Sequence, residues 1–142
     1  LFTDKISNGE PITVYNHGNS KRDFTYIDDI VDGIYKISFK PPKSKKNFNK
    51  KRMDPSLSFA PYRILNIGNS KPVNLIAFLN YLEKCLKKRA KKEYLPLQAG
   101  DIIKTHSNIS KIKKLINYSP KTNYKIGIKK FVAWYLNYRN IT

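Results

Sequence analysis

Tyr62-Arg63-Ile64-Leu65-Asn66-Ile67-Gly68-Asn69-Ser70-Lys71-Pro72 is the stretch on which the fold turns. Residues 62–68 are rich in β-branched and aromatic types and end on a glycine, which predicts a strand that stops at Gly68. Asn69-Ser70 supplies a helix cap and Pro72 suits a first helical turn. Leu75, Ile76, Leu79, Leu82 and Leu86 then recur with a period near 3.6, which predicts a helix running to about residue 89. Cys85 lies beside that stripe and is expected as a small core residue. A strand passing directly into a helix predicts an α/β chain with smaller accessory elements around it.

Toward the N-terminus, Ile12-Thr13-Val14-Tyr15 predicts a short strand and Asn16-His17-Gly18-Asn19 a turn. Phe24-Thr25-Tyr26-Ile27 predicts a second strand, followed by a helix capped at Asp28 or Asp29 and carrying Ile30, Val31, Ile34 and Ile37. Toward the C-terminus, Tyr94-Leu95-Pro96-Leu97 is extended and Gln98-Ala99-Gly100-Asp101 turns. Asn108 caps a helix with Ile109, Ile112, Leu115 and Ile116 on its face. A last helix over about 124–139 presents Ile128, Phe131, Val132, Tyr135 and Tyr138, with Trp134 expected in the core. Residues 40–59 break all periodicity. Pro41-Pro42 and a run of seven bases without an acid over 40–52 predict an exposed basic loop.

Composition narrows the function. The 142 residues contain 28 Lys+Arg and 10 Asp+Glu, a net charge of +18. Such a charge is the footprint of a nucleic-acid binder, or else a solvated surface. Only five of the bases are Arg, the residue suited to bidentate phosphate and base contacts, and Lys, Asn and Ile are inflated together. Nucleic acid is therefore the disfavoured partner. A single cysteine excludes an internal disulfide, and two scattered histidines give no metal-ligand spacing. No apolar run approaches the length of a membrane span, and Leu1-Phe2-Thr3-Asp4 is not a secretory signal, so the expected compartment is the cytoplasm. A start without Met suggests a chain that begins partway through something larger.

The six glycines form neither a dinucleotide fingerprint nor a P-loop, and none of the ten tyrosines has a lysine four residues on. No catalytic set is written within the chain. What remains is a set of handles. Arg22, next to Asp23, Phe24 and Tyr26, suits a diphosphate through two parallel hydrogen bonds, or else pairs with Asp23 at the surface. Gln98 and Asp101, three apart across a glycine, suit a sugar, a carboxylate being a frequent acceptor for vicinal ribose hydroxyls; alternatively Asp101 caps a turn. His17 and His106 are expected as turn residues, and Asp28 and Asp29 as caps.

In order along the chain, Gly9-Glu10-Pro11-Ile12 through Tyr15, Lys21-Arg22-Asp23-Phe24-Thr25-Tyr26-Ile27-Asp28-Asp29-Ile30, and Ala60-Pro61-Tyr62-Arg63 through Ser70 resemble the C-terminal part of the extended short-chain dehydrogenase/reductase family. Leu95-Pro96-Leu97-Gln98-Ala99-Gly100-Asp101 and Phe131-Val132-Ala133-Trp134-Tyr135 extend that likeness toward its bacterial UDP-glucuronate 4-epimerases. The resemblance implies a partial α/β domain over 1–142, the substrate-binding part of a Rossmann-type epimerase without its dinucleotide-binding half. Residues 62–68 would be a strand returning to that half's parallel sheet. It implies a UDP-sugar partner, with Arg22 on the diphosphate, Asp101 on the uridine ribose, and Gln98 where some relatives place a second arginine. NAD would be bound by the absent half, which is the natural packing partner and carries the Tyr-x-x-x-Lys pair. The chain alone is expected to be inactive. The rival readings are a basic nucleic-acid-binding module and the product of a truncated reading frame.

Overall fold

The computed structural model describes residues 1–44 and 54–140. Helix α1 (Phe2–Asn8) ends on Gly9, whose φ of 74° makes a left-handed cap. Strand β1 (Pro11–Val14) follows it. The chain next makes a tight 3-10 turn over Tyr15–Gly18 and a two-residue strand, β2 (Lys21–Arg22), before helix α2 (Ile27–Ser38). Beyond residue 54 come β3 (Val73–Asn74), α3 (Leu75–Leu86), β4 (Lys91–Tyr94), α4 (Ser110–Ile116) and α5 (Tyr124–Tyr138).

Two small sheets organise these elements. β1 and β4 pair in parallel, Pro11 opposite Lys91 and Val14 opposite Tyr94. β2 and β3 pair antiparallel, Lys21 opposite Asn74 and Arg22 opposite Val73. Ile12 and Val14 alternate inward from β1 and are wholly buried. They meet Ile6 of α1, Leu79, Leu82 and Leu86 of α3, and Ile128 and Val132 of α5 in one core. The expected period on α3 is this core face. The helix is capped one turn later than expected, because Asn74 Oδ1 accepts from the backbone N–H groups of Ile76 (2.8 Å) and Ala77 (3.3 Å) in place of Asn69 or Ser70.

Other expectations need correction. Residues 24–27 are not a strand: the pairing falls on Lys21 and Arg22, and Ile27 already begins α2. Asp28 and Asp29 lie within the first turn of α2, and Tyr26 holds the cap position without a side-chain bond. Asp29 instead accepts from the N–H groups of Lys121 and Thr122, both at 3.0 Å, and ties α2 to the segment that leads into α5. Residues 64–67 have no strand partner among the described residues, and only Arg63 bridges, to Leu57. A strand exists only with a neighbour to satisfy its N–H and C=O groups. β4 falls over Lys91–Tyr94, ahead of the expected 94–97, because its polar sequence hides a strand paired along β1 alone. Trp134 is 56% exposed. It stands two positions from buried Val132, about 200° around the helix and away from α3. Of the expected basic loop, residues 45–53 lie outside the described residues, and the flanks 41–44 and 58–62 carry neither helix nor strand.

Candidate functional site

β2 is narrow but held on both sides. Val73 lies opposite Arg22 on one edge. On the other, Lys21 N–H donates to Ile103 C=O at 2.9 Å and Thr105 N–H donates to Lys21 C=O at 3.1 Å. Arg22 therefore leaves a fixed backbone between the start of α3 and the segment after Asp101. Its Nη2 donates to Asp101 Oδ1 at 2.9 Å, across 79 residues of sequence. Nη1 donates to the carbonyls of Lys21 (3.1 Å) and Ile103 (3.3 Å). About a quarter of the Arg22 side chain and a third of that of Asp101 remain exposed, so the pair faces solvent along one side.

Asp101 is delivered by the expected turn. Its N–H donates to Gln98 C=O at 3.0 Å, and Gly100 takes a φ of 83°, the left-handed conformation that glycine adopts freely. Asp101 Oδ1 also accepts from Ile102 N–H at 2.8 Å, which fixes the carboxylate toward Arg22. Gln98 sits exposed at the start of the same turn. Arg22 and Asp101 thus come together directly, with Gln98 one turn away. Arg22 does not pair with Asp23.

Asp23 has another task, which its sequence neighbours concealed. Its Oδ2 accepts from Ser70 N–H (3.0 Å) and Ser107 N–H (2.8 Å), and its Oδ1 from Lys71 N–H (3.1 Å). Its own N–H donates to Thr105 Oγ1 at 2.9 Å. One carboxylate thereby joins β2, the 70–71 loop and the 105–107 segment. Gly68 packs so closely on Ser107 that any Cβ there would collide with it. Buried Tyr118 donates from its hydroxyl to Gly68 C=O at 3.2 Å, and burial, reinforced by the fields of Asp29, Asp32 and Asp23, holds its pKa above the usual phenol value. His106 Nε2 lies 3.1 Å from Ser70 Oγ on the exposed rim. His17 lies in the tight turn after β1, as expected.

Beyond Arg22 the chain enters an apolar cleft of about 260 Å³ lined by Phe24, Tyr26, Ile27, Phe78, Tyr124 and Phe131 among others. Phe24 stacks on Phe78 with ring centroids 4.0 Å apart, and Lys130 Nζ stands 5.0 Å from the Tyr26 ring centroid. A guanidinium and a carboxylate side by side suit a ligand with an anionic part and hydroxyls, and the cleft lined from Phe24 onward suits an apolar surface. Among the described residues, no cluster of three His, Cys, Asp or Glu side chains is placed to hold a metal, and no helix is long and apolar enough to cross a membrane.

Residues 1–50 match the NAD dependent epimerase/dehydratase family. Across 96% of its length the chain is 44% identical to protein CapI of Staphylococcus aureus, and spans 41% of that protein. It is 43% identical to UDP-glucuronate 4-epimerase 1 of Arabidopsis thaliana, with 96% of this chain and 32% of that one covered. Among solved structures it is similar to the UDP-glucuronic acid 4-epimerase of Bacillus cereus in complex with UDP-glucuronic acid and NAD. That match has a TM-score of 0.69 and 26% identity, and covers 94% of this chain and 38% of the other. The chain spans between about a third and about two fifths of the length of these relatives, and the shared fold is the Rossmann-type one of extended epimerases. The chain is thus similar to the NAD dependent epimerase/dehydratase family over residues 1–50 and, over nearly its whole length, to part of proteins named as UDP-glucuronate 4-epimerases.

Proposed function

We propose that this chain is the UDP-sugar-binding part of an NAD-dependent nucleotide-sugar 4-epimerase acting between UDP-glucuronate and UDP-galacturonate. The observation that carries the reading is the meeting of Arg22 and Asp101 at 2.9 Å from segments 79 residues apart. Arg22 holds the diphosphate through its planar fork of donors, and Asp101 accepts the uridine ribose hydroxyls. Gln98, on the same turn, supports the phosphate end.

NAD supplies the hydride acceptor in such a reaction. The residues of this chain do not fit it: none of the six glycines opens a helix after a strand, where a pyrophosphate would be cradled. Residues 1–142 serve as a partial domain whose 62–68 segment becomes a strand when a dinucleotide-binding half pairs with it. The apolar face that α2 leaves in solvent, with Ile27, Val31, Ile34 and Tyr35 each more than half exposed, fits such a half as its packing partner.

Calorimetric titration with UDP tests the binding role. Arg22→Ala and Asp101→Ala are each expected to weaken UDP by about tenfold or more, the worth of one charge-assisted contact. Unchanged affinity in both overturns the reading. Turnover of UDP-glucuronate by the pure 142-residue chain would equally contradict its assignment as a binding part. The net charge of +18 favours one rival, a nucleic-acid surface. DNA binding that falls steeply with salt, in a chain indifferent to UDP, would establish that rival instead.

A further inference from the structure

A cavity of about 500 Å³ opens where three segments meet: the loop 69–71, residues 108–113 at the start of α4, and residues 118–120. It shares no lining residue with the Arg22–Asp101 pair or with the aromatic cleft. No acid lines it. Lys71 and Lys113 do, and neither ammonium has a carboxylate partner among the described residues. The hydroxyls of Ser110 and Ser119 add two neutral donors. Asn69, only 6% exposed, lines the same space. Its Nδ2 donates to Phe24 C=O at 3.1 Å, and its Oδ1 has no donor among the described residues. A buried side-chain carbonyl of this kind calls for a donor from whatever fills the cavity. We infer that this cavity binds a small phosphorylated sugar, with Lys71, Lys113 and the two serines on the phosphate and Asn69 Oδ1 accepting from a sugar hydroxyl.

In a chain of net charge +18 most lysines merely solvate the surface. These two differ in that they converge, from positions 71 and 113, on a space whose walls are already fixed. Asp23 accepts from the N–H groups of Ser70 (3.0 Å) and Lys71 (3.1 Å), and holds Ser70 in a left-handed φ of 58° that a serine seldom adopts. Asn108 Oδ1 accepts from Ser110 N–H at 3.0 Å. Tyr118 is wholly buried and donates to Gly68 C=O at 3.2 Å. The ordering cost of binding therefore falls mainly on two lysine side chains. Two ammoniums and two hydroxyls match a dianion with three acceptor oxygens better than a lone carboxylate. The carboxylates whose fields reach Tyr118 are spent elsewhere: Asp23 on three N–H groups, Asp29 on those of Lys121 and Thr122, and Asp32 on Lys36. A volume of this size admits a hexose phosphate.

Calorimetric titration of the 142-residue chain tests this with glucose 6-phosphate, glucose and inorganic phosphate. Glucose 6-phosphate is expected to bind about tenfold more tightly than either fragment. Lys71→Met combined with Lys113→Met should weaken it by about tenfold or more. Ser110→Asp places a negative charge in the cavity at a position where a helix accepts an acid, and should weaken it by a similar factor without loss of the fold. Lys91→Met combined with Lys129→Met removes two equal charges outside the lining, and should stay within about twofold of the parent. Arg22→Ala, which weakens UDP under the reading above, should also leave glucose 6-phosphate within about twofold. A parent chain that does not bind glucose 6-phosphate, or affinity unchanged in both the lysine pair and Ser110→Asp, overturns the site. So does an equal loss in the Lys91 and Lys129 pair, which would mark unspecific charge, or in Arg22→Ala, which would move the phosphate to the other site. Inorganic phosphate binding as tightly as glucose 6-phosphate overturns the assignment to a sugar. Loss of UDP binding with the glucose 6-phosphate results intact leaves this site standing and removes only the nucleotide reading.

Discussion

Asp23 gathers three backbone N–H groups from two distant loops onto one carboxylate, whereas Asp28, five residues on, reaches only Lys130 among the described residues, at 3.5 Å from an exposed position. Identical chemistry at nearly adjacent sites should therefore have unequal weight. Asp23→Ala strands three donors and is expected to cost about 3 kcal/mol. Asp28→Ala loses a solvated pair and a favourable charge at the start of α2, about 0.5 kcal/mol. Urea denaturation of both variants checks the ratio; equal losses would contradict the role given to Asp23. The residue scale is also where the sequence is least legible. That Arg22 and Asp101 are candidate handles is readable from the types and motifs around them, but their direct pairing is not. Nor does anything near Asp23 announce that its partners are backbone groups at 70, 71 and 107. Those contacts are set by tertiary closure, and backbone donors leave no mark on composition.

Among the elements, the link between α3 and β4 runs through Glu83. Its Oε1 accepts from Ala90 N–H at 2.7 Å and from Lys92 Nζ at 2.6 Å, in a residue only 4% exposed. Burial pushes its pKa up, but the bonds from Lys92 and Ala90 outweigh burial, and the net shift is downward from 4.5. A carboxylate with a lowered folded-state pKa stabilises the fold above its unfolded value. That contribution is intact above about pH 4.5 and is lost as acid titrates the folded chain below it. Glu83→Gln should flatten that part of the stability-against-pH curve measured by thermal melting, and a parent curve already flat below pH 4.5 would refute the assignment. Glu83→Ala leaves Ala90 N–H and Lys92 unpartnered and is expected to cost about 2 kcal/mol. Gly18 is a second joint. With φ at 81° and Ile76 packed where a Cβ would point, Gly18→Ala combines backbone strain with a collision against α3. A loss of about 2 kcal/mol is expected in denaturation, and a neutral outcome would show that the turn relaxes. Elements with a strong internal period were legible in the sequence: α3 and α5 form almost where Leu79, Leu82, Ile128 and Val132 place them. Of the short strands, β1 is legible in Ile12-Thr13-Val14-Tyr15, but β2 and β4 are not. β2 is two residues long and β4 is polar, and both exist because a neighbour supplies hydrogen bonds.

At the scale of the molecule, the core is one-sided. Ile6, Ile12, Val14 and the α3 and α5 stripes are sealed, while Ile27, Val31, Ile34 and Tyr35 on α2 and Phe131, Trp134 and Tyr138 on α5 stay in solvent. Patches of that kind mark contact surfaces or a tendency to associate. The isolated 142-residue chain is expected to bind hydrophobic dye and to melt over a broad range, and to sharpen its transition when a dinucleotide-binding half is added. A single steep, dye-free melt for the chain alone would argue against an uncovered face. The α2 helix shows why this was legible only in part. Its period announces a helix, but which side another surface covers depends on residues that lie elsewhere.

The parallel pairing of β1 with β4 sets a clock on biogenesis. Pro11 finds its partner in Lys91, eighty residues later. On a ribosome adding roughly 5–20 residues each second, β1 waits about 4 to 16 seconds before β4 has been made. Throughout that interval Ile12 and Val14 lie beside an open edge, the state in which nascent strands are captured by chaperones or by one another.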